Sequence, residues 1–295
     1  MTRTPRPVAA WPERFALGEG IRRLNDSIVL VDLLEGKLFR SPGETSPLSL
    51  VAQLPVPLGG VAPIEGVPLG WIAAAGTGIC TITPDGRVDW LARPEDGAPV
   101  PMRMNDATAD PHGRFWAGSM GYGGVEDAGS LYRVDPDGTV VRALTGITVP
   151  NGPAFSADGT LMYLADSARA VVRRYPADPT TGALGAPEVF AEFPQGSPDG
   201  MTVDAAGALW VAVWDGGAVH RYLPDKTLDR VVTLPARRPT CVCLDGTTLY
   251  VTSARIGLDA PGPDDGAVFT TTVDVPGVPG VPGVPAAAHR PSEPA

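Results

Sequence analysis

Cysteine, histidine and positive charge are all scarce in this chain, and each shortage removes a class of function. Three cysteines in 295 residues cannot form a disulfide framework, and Cys241-x-Cys243 lacks the spacing of a zinc site. Two residues apart, that pair shares one face of a strand. The three histidines, His112, His220 and His289, fall in a turn, a strand and the terminal segment. No pair has ligand spacing, so neither a histidine metal site nor a histidine-based triad is predicted. No serine stands in a Gly-x-Ser-x-Gly elbow. Lysine and arginine number 23 against 33 acidic residues, a formal net charge of −10. Such a surface repels nucleic acid and anionic membranes, so neither is an expected partner. No apolar run approaches a membrane span, and residues 1–16 lack the apolar core of a secretory signal. A cytoplasmic protein, monomeric or weakly self-associating, is expected.

Glycine and proline, by contrast, are plentiful at 36 and 33, which suits many short strands joined by tight turns. Ser27, Gly70, Gly113, Gly159, Gly207 and Gly246 each sit just before an apolar run, at intervals of 43, 43, 46, 48 and 39 residues. Further short strands lie between them, such as 129–134 and 217–222, separated by turns such as Asp135-Pro136-Asp137-Gly138. A unit of about 45 residues holding several short strands is the size of a four-stranded propeller blade. Six units predict an all-β, six-bladed β-propeller of four-stranded antiparallel blades over residues 15–275. Residues 1–14 read as a lead-in. Residues 276–295, beginning with a Pro-Gly-Val repeat, read as a disordered or polyproline-like tail.

Asn105, Asn151 and Asp199 each stand eight residues before a repeat glycine, and Glu19 holds the matching place before the first turn. Equivalent offsets in a ring put these side chains at one level around a common axis. Carboxylates and amides converging there form an oxygen-donor set, which points to a divalent metal site.

The segments Leu17-Gly18-Glu19-Gly20, Arg103-Met104-Asn105-Asp106, Asp110-Pro111-His112-Gly113-Arg114-Phe115-Trp116-Ala117-Gly118, Pro150-Asn151-Gly152 and Ser197-Pro198-Asp199-Gly200-Met201 follow one another in order. In them the chain resembles the senescence-marker-protein, gluconolactonase and luciferin-regenerating-enzyme (regucalcin-like) family over about residues 15–275. The resemblance implies a propeller holding one divalent cation by Glu19, Asn151 and Asp199. Calcium is the first choice on hardness, with manganese, magnesium, zinc and ferrous iron as alternatives. It implies substrate contacts from Arg103 and Asn105, and hydrolysis of a small-molecule lactone such as gluconolactone. The cation would polarise the carbonyl and Asp199 would assist the attacking water.

Two departures from the family pattern stand out. Gly123 occupies the place of a family glutamate, with Glu126 the nearest carboxylate on that loop, and Ile21-Arg22-Arg23 replaces a proline and an apolar pair. The missing glutamate leaves room for a specialised-metabolite ester or lactone, or another reaction on the same scaffold. A non-catalytic metal- or ligand-binding propeller is the remaining alternative, disfavoured by Arg103 and Asn105 beside the ligands. Asp106 and Asp110 read as turn residues, Trp116 and Trp210 as packing between blades, and Trp214 as packing close to the channel.

Overall fold

The computed structural model describes residues 4–24, 27–43 and 46–278. Six four-stranded antiparallel sheets follow one another around a ring, as the repeat spacing predicts. Their inner strands are Gly18–Leu24, Leu58–Pro63, Met102–Ala109, Pro150–Phe155, Ser197–Val203 and Pro239–Asp245. The repeat markers fall at or just before the second strand of each blade, which starts at Ser27, Trp71, Phe115, Leu161, Leu209 or Thr248. Those second strands are buried on both faces, which is why they read as continuous apolar runs. Among the described residues the one helical piece is a single 3-10 turn, Ser167–Arg169.

The ends of the chain depart from the predicted boundaries. Residues 8 and 9, assigned from sequence to the lead-in, pair antiparallel with Phe269–Thr272 and form the outermost strand of blade six. A two-residue strand carries no periodic signal, so the pattern could not reveal it. Closure is reinforced where Arg255 and Ile256 both donate their backbone N–H to the carbonyl of Ala16, at 3.0 Å each. At the other end Pro276 accepts a hydrogen bond from the Ala205 N–H, and Gly277 donates to Gly246. The ordered contacts therefore pass the predicted boundary at residue 275. The rest of the predicted tail, 279–295, lies outside the described residues.

Trp116 and Trp210 are fully buried between blades, as expected. Each indole N–H donates to an aspartate six residues earlier, Asp110 at 3.0 Å and Asp204 at 2.9 Å. The other oxygen of each aspartate accepts two backbone N–H groups of its own turn, from His112 and Arg114 or from Ala206 and Ala208. Asp110 is thus the turn residue predicted, and it also fixes the tryptophan. Asp204 additionally holds the Arg221 guanidinium at 2.8 Å.

One irregularity recurs in every blade. The register between inner and second strands shifts between Glu19 and Arg22, Leu58 and Gly60, Met104 and Ala107, Asn151 and Ala154, Pro198 and Met201, and Pro239 and Val242. Extra residues at such bulges bend the strand and re-aim its side chains. In blade two the position must be glycine, because a Cβ on Gly59 would overlap the carbonyl oxygen of Asn105.

Replacing Asp204 with alanine removes a turn cap, an indole partner and one counter-ion of Arg221. The expected cost is about 3 kcal/mol in urea unfolding; a loss below about 1 kcal/mol would show that the carboxylate does not hold this turn.

Candidate active site

The channel opens at two mouths. Where the inner strands begin, a cavity of about 280 Å³ is floored by Glu19, Asn105, Asn151 and Asp199. Arg103, two residues before Asn105, lines the same cavity. All five residues singled out in the sequence are therefore brought together, from blades one, three, four and five. A larger cavity of about 800 Å³ lies between the N-terminal segment and the outer strand of blade five, and contains none of them.

A chain of hydrogen bonds orients the floor. Ser167 Oγ donates to the carbonyl of Pro198 at 2.5 Å, so it must accept from Asn151 Nδ2, at 2.8 Å. That leaves Asn151 Oδ1 as an acceptor, taken by Asn105 Nδ2 at 2.9 Å. Asn105 Nδ2 also donates to the Pro150 carbonyl at 2.8 Å, so its Oδ1 faces Arg103 Nη1 at 2.7 Å. Both amide orientations follow from this network.

The carboxylates are treated differently. Glu19 Oε2 and Asp199 Oδ1 are buried and have no hydrogen-bond partner among the described residues. Burial, then the charges of Asp199 and Asp106, push Glu19 well above the ordinary carboxylate range. Burial, then Asp106, do the same to Asp199. Burial also lowers the Arg103 guanidinium from its ordinary value, opposed by Tyr122, Glu19 and Asp199.

Two residues in the channel escaped the sequence reading. Asp106 is not a turn residue; it lies within the inner strand of blade three, buried, and accepts the N–H of Gly152 at 3.1 Å. Arg22 lies inside the channel too, with Nη2 3.1 Å from Asp106 Oδ1, Nε 3.3 Å from Thr108 Oγ1 and Nη1 2.9 Å from Cys241 Sγ. Strict alternation puts Asp106 opposite Asn105, and Arg22 opposite Glu19, on each strand. The bulges break that alternation and turn all four inward. Arg22 also borders a second cavity of about 250 Å³ at the far mouth, so the Arg22–Asp106 pair separates the two.

The loop carrying the missing family glutamate contributes no acid. Gly123 sits at φ +77° with open space where a Cβ would be. The Glu126 side chain is 85% exposed and lies 3.9 Å from Arg169, outside the cavity lining. Trp214 does line the cavity, and Arg238 stacks on its ring at 4.7 Å.

Fold and floor together define a class, that of six-bladed propellers with an oxygen-lined axial cavity. Residues 17–255 match the family described as the SMP-30/Gluconolactonase/LRE-like region, and the chain belongs to that family. It is 37% identical over 257 residues to 6-deoxy-6-sulfogluconolactonase of Pseudomonas putida, spanning 83% of this chain and 87% of that protein. It is 32% identical over 283 residues to regucalcin of Macaca fascicularis, spanning 88% and 92%. The crystal structure of a calcium-binding protein, regucalcin, from Agrobacterium tumefaciens superposes with a TM-score of 0.87 at 29% identity, covering 95% of this chain and 97% of that one.

The raised carboxylates make a prediction about metal-free protein. Unfolded, these acids titrate near pH 4; folded, they hold protons to higher pH. The folded state therefore binds more protons above that point, and stability falls as pH rises through the folded values. In chelator, the melting temperature is expected to be lower at about pH 8 than at about pH 5. Asp199→Asn, which removes one of the two facing charges, should raise it at about pH 8 by roughly 2–4 °C for each kcal/mol recovered. Circular dichroism melts decide both: a wild-type value at about pH 8 equal to or above that at about pH 5, or an Asp199→Asn value at about pH 8 no higher than wild type, contradicts the reading.

Proposed function

We propose that this protein is a divalent-metal-dependent hydrolase that opens a lactone, with a sugar lactone as substrate. The observation that carries this reading is the pair of partnerless buried oxygens, Glu19 Oε2 and Asp199 Oδ1, at the cavity floor that Asn151 also lines. Buried carboxylate oxygens left bare are costly, and a cation removes that cost. Among the described residues no three acidic, histidine or cysteine side chains cluster as a metal site; the third ligand would be the Asn151 amide oxygen. Two carboxylates and an amide balance a doubly charged ion and leave coordination places open. Bound there, the ion would supply Lewis-acid polarisation of the substrate carbonyl. The sulfogluconolactonase and a Haloferax volcanii pentonolactonase, 40% identical over 190 residues, support the substrate class. The calcium-binding relative supports calcium as the first ion to test.

The chain's own groups then divide the work. Arg103 and Asn105 bind and orient the lactone, in a cavity that suits one small ring. The Asp199 carboxylate takes a proton from the water that attacks the carbonyl carbon. The tetrahedral centre collapses with cleavage of the ring C–O bond, and that proton is returned to the departing ring oxygen. The product is the open hydroxy acid. Arg22 stays on Asp106 throughout, closing the floor against the far mouth.

Proton release from glucono-1,5-lactone tests the reading. Metal-stripped protein should be inactive, and activity should return with calcium, manganese or zinc added singly. Asp199→Ala should lower kcat/KM by about 10³ while leaving the circular dichroism spectrum unchanged. Turnover that survives either treatment would sink the proposal.

A further inference from the structure

The cavity has two levels. On four inner strands a floor residue is preceded, two positions earlier, by a second residue lining the same cavity: Leu17 before Glu19, Arg103 before Asn105, Val149 before Asn151, and Ser197 before Asp199. The two-residue step places the upper level roughly 7 Å along each strand. The floor is entirely polar. The upper level is divided, and second strands deepen the division by adding Met120 and Trp214.

Above the floor, the sector between blades three and four is apolar apart from Ser167. Met120, which pairs with Arg103 across the blade, is followed by Val149 and Ala168. Among the described residues no acid lines this arc: Gly123 has no side chain and Glu126 points to solvent beside Arg169. Ser167, next to Ala168, offers nothing either, because its hydroxyl is committed to Asn151 and Pro198. The wall is also fixed in place. Asp166 accepts the N–H groups of Thr148 and Val149 at 3.1 Å each, and Asp32 holds Ala16 and Leu17 in the same way across the mouth. A hydroxyl pressed against this arc loses its water without gaining a partner.

We propose that the preferred substrate is a deoxysugar lactone, a ring with hydroxyls toward Arg103, Asn105 and Ser197 and a terminal methyl group against Met120, Val149 and Ala168. This rests on the lactonase reading above and narrows it to a substrate class. An apolar pocket rejects an added hydroxyl only moderately, so the preference is about 10-fold, within the limit of about 100-fold for such sites.

The test is a matched pair: a hexono-1,4-lactone and its 6-deoxy counterpart of the same ring stereochemistry, assayed in the gluco, manno and galacto series with metal restored. For at least one series the 6-deoxy compound should give about 10-fold higher kcat/KM. Val149→Thr exchanges a methyl for a hydroxyl at nearly constant volume. It should bring the ratio to about 1, mainly by improving the hydroxylated partner. Met120→Gln should act in the same direction, and thermal melts establish that both variants fold. Equal or reversed wild-type preference in every series overturns the inference and leaves the lactonase intact, as does a ratio that neither variant moves. If no lactone of either kind is hydrolysed, the lactonase reading itself falls.

Discussion

Six strands must share one axis, and that crowding governs everything else in the molecule. Straight, regularly paired inner strands would press alternate side chains against the axis along their whole length. Instead each ladder is interrupted once, by a bulge near the mouth where the strands begin. Below the bulges the inner strands bury apolar side chains such as Val61, Ala107, Ala154, Met201 and Val242. At the bulges, side chains too polar for a core are aimed into a common space. The site is a by-product of ring closure, placed where the fold has to be irregular.

Charge is distributed over that space in two layers. Asp106 is surrounded by Arg22 and the N–H groups of Ala107 and Gly152, so its charge is matched within the protein. Burial still raises it, with those partners pulling the other way. Glu19 and Asp199, one layer nearer the mouth, each keep an oxygen that nothing among the described residues satisfies. A buried ion without a partner costs several kcal/mol, far more than an exposed surface pair returns. These two bare oxygens share one cavity, and the lower layer keeps the far mouth from relieving them.

Much of this was legible in the sequence because turn chemistry is local. A turn residue before an apolar run, Ser27 in the first blade and glycine in the other five, marked every blade, and equal offsets from those markers selected Glu19, Asn105, Asn151 and Asp199 without any spatial information. The same method failed at Arg22 and Asp106, because a period of two residues cannot anticipate a bulge; Gly20 at φ +54°, immediately before Ile21 and Arg22, was the available signal. Residues 8 and 9 were invisible as a strand, since their pairing partner lies some 260 positions away. The apolar arc of Met120, Val149 and Ala168 was likewise hidden. None of the three is unusual in its own segment, and only the closing of the ring sets them side by side.

The hydrogen bonds of the floor run in one sense around the axis, from Arg103 to Asn105, to Asn151, to Ser167, to Pro198. Every link donates forward and accepts from behind. Above it Arg103 and Ser197 stand on either side of Val149 and Ala168, with Leu17 and Trp214 across the mouth. A surface with a direction of rotation and an uneven rim has no mirror plane, so the two enantiomers of a ring meet different patterns of complementary groups. Handedness in what enters this channel is therefore written into the order of its donors, before any particular ligand is considered.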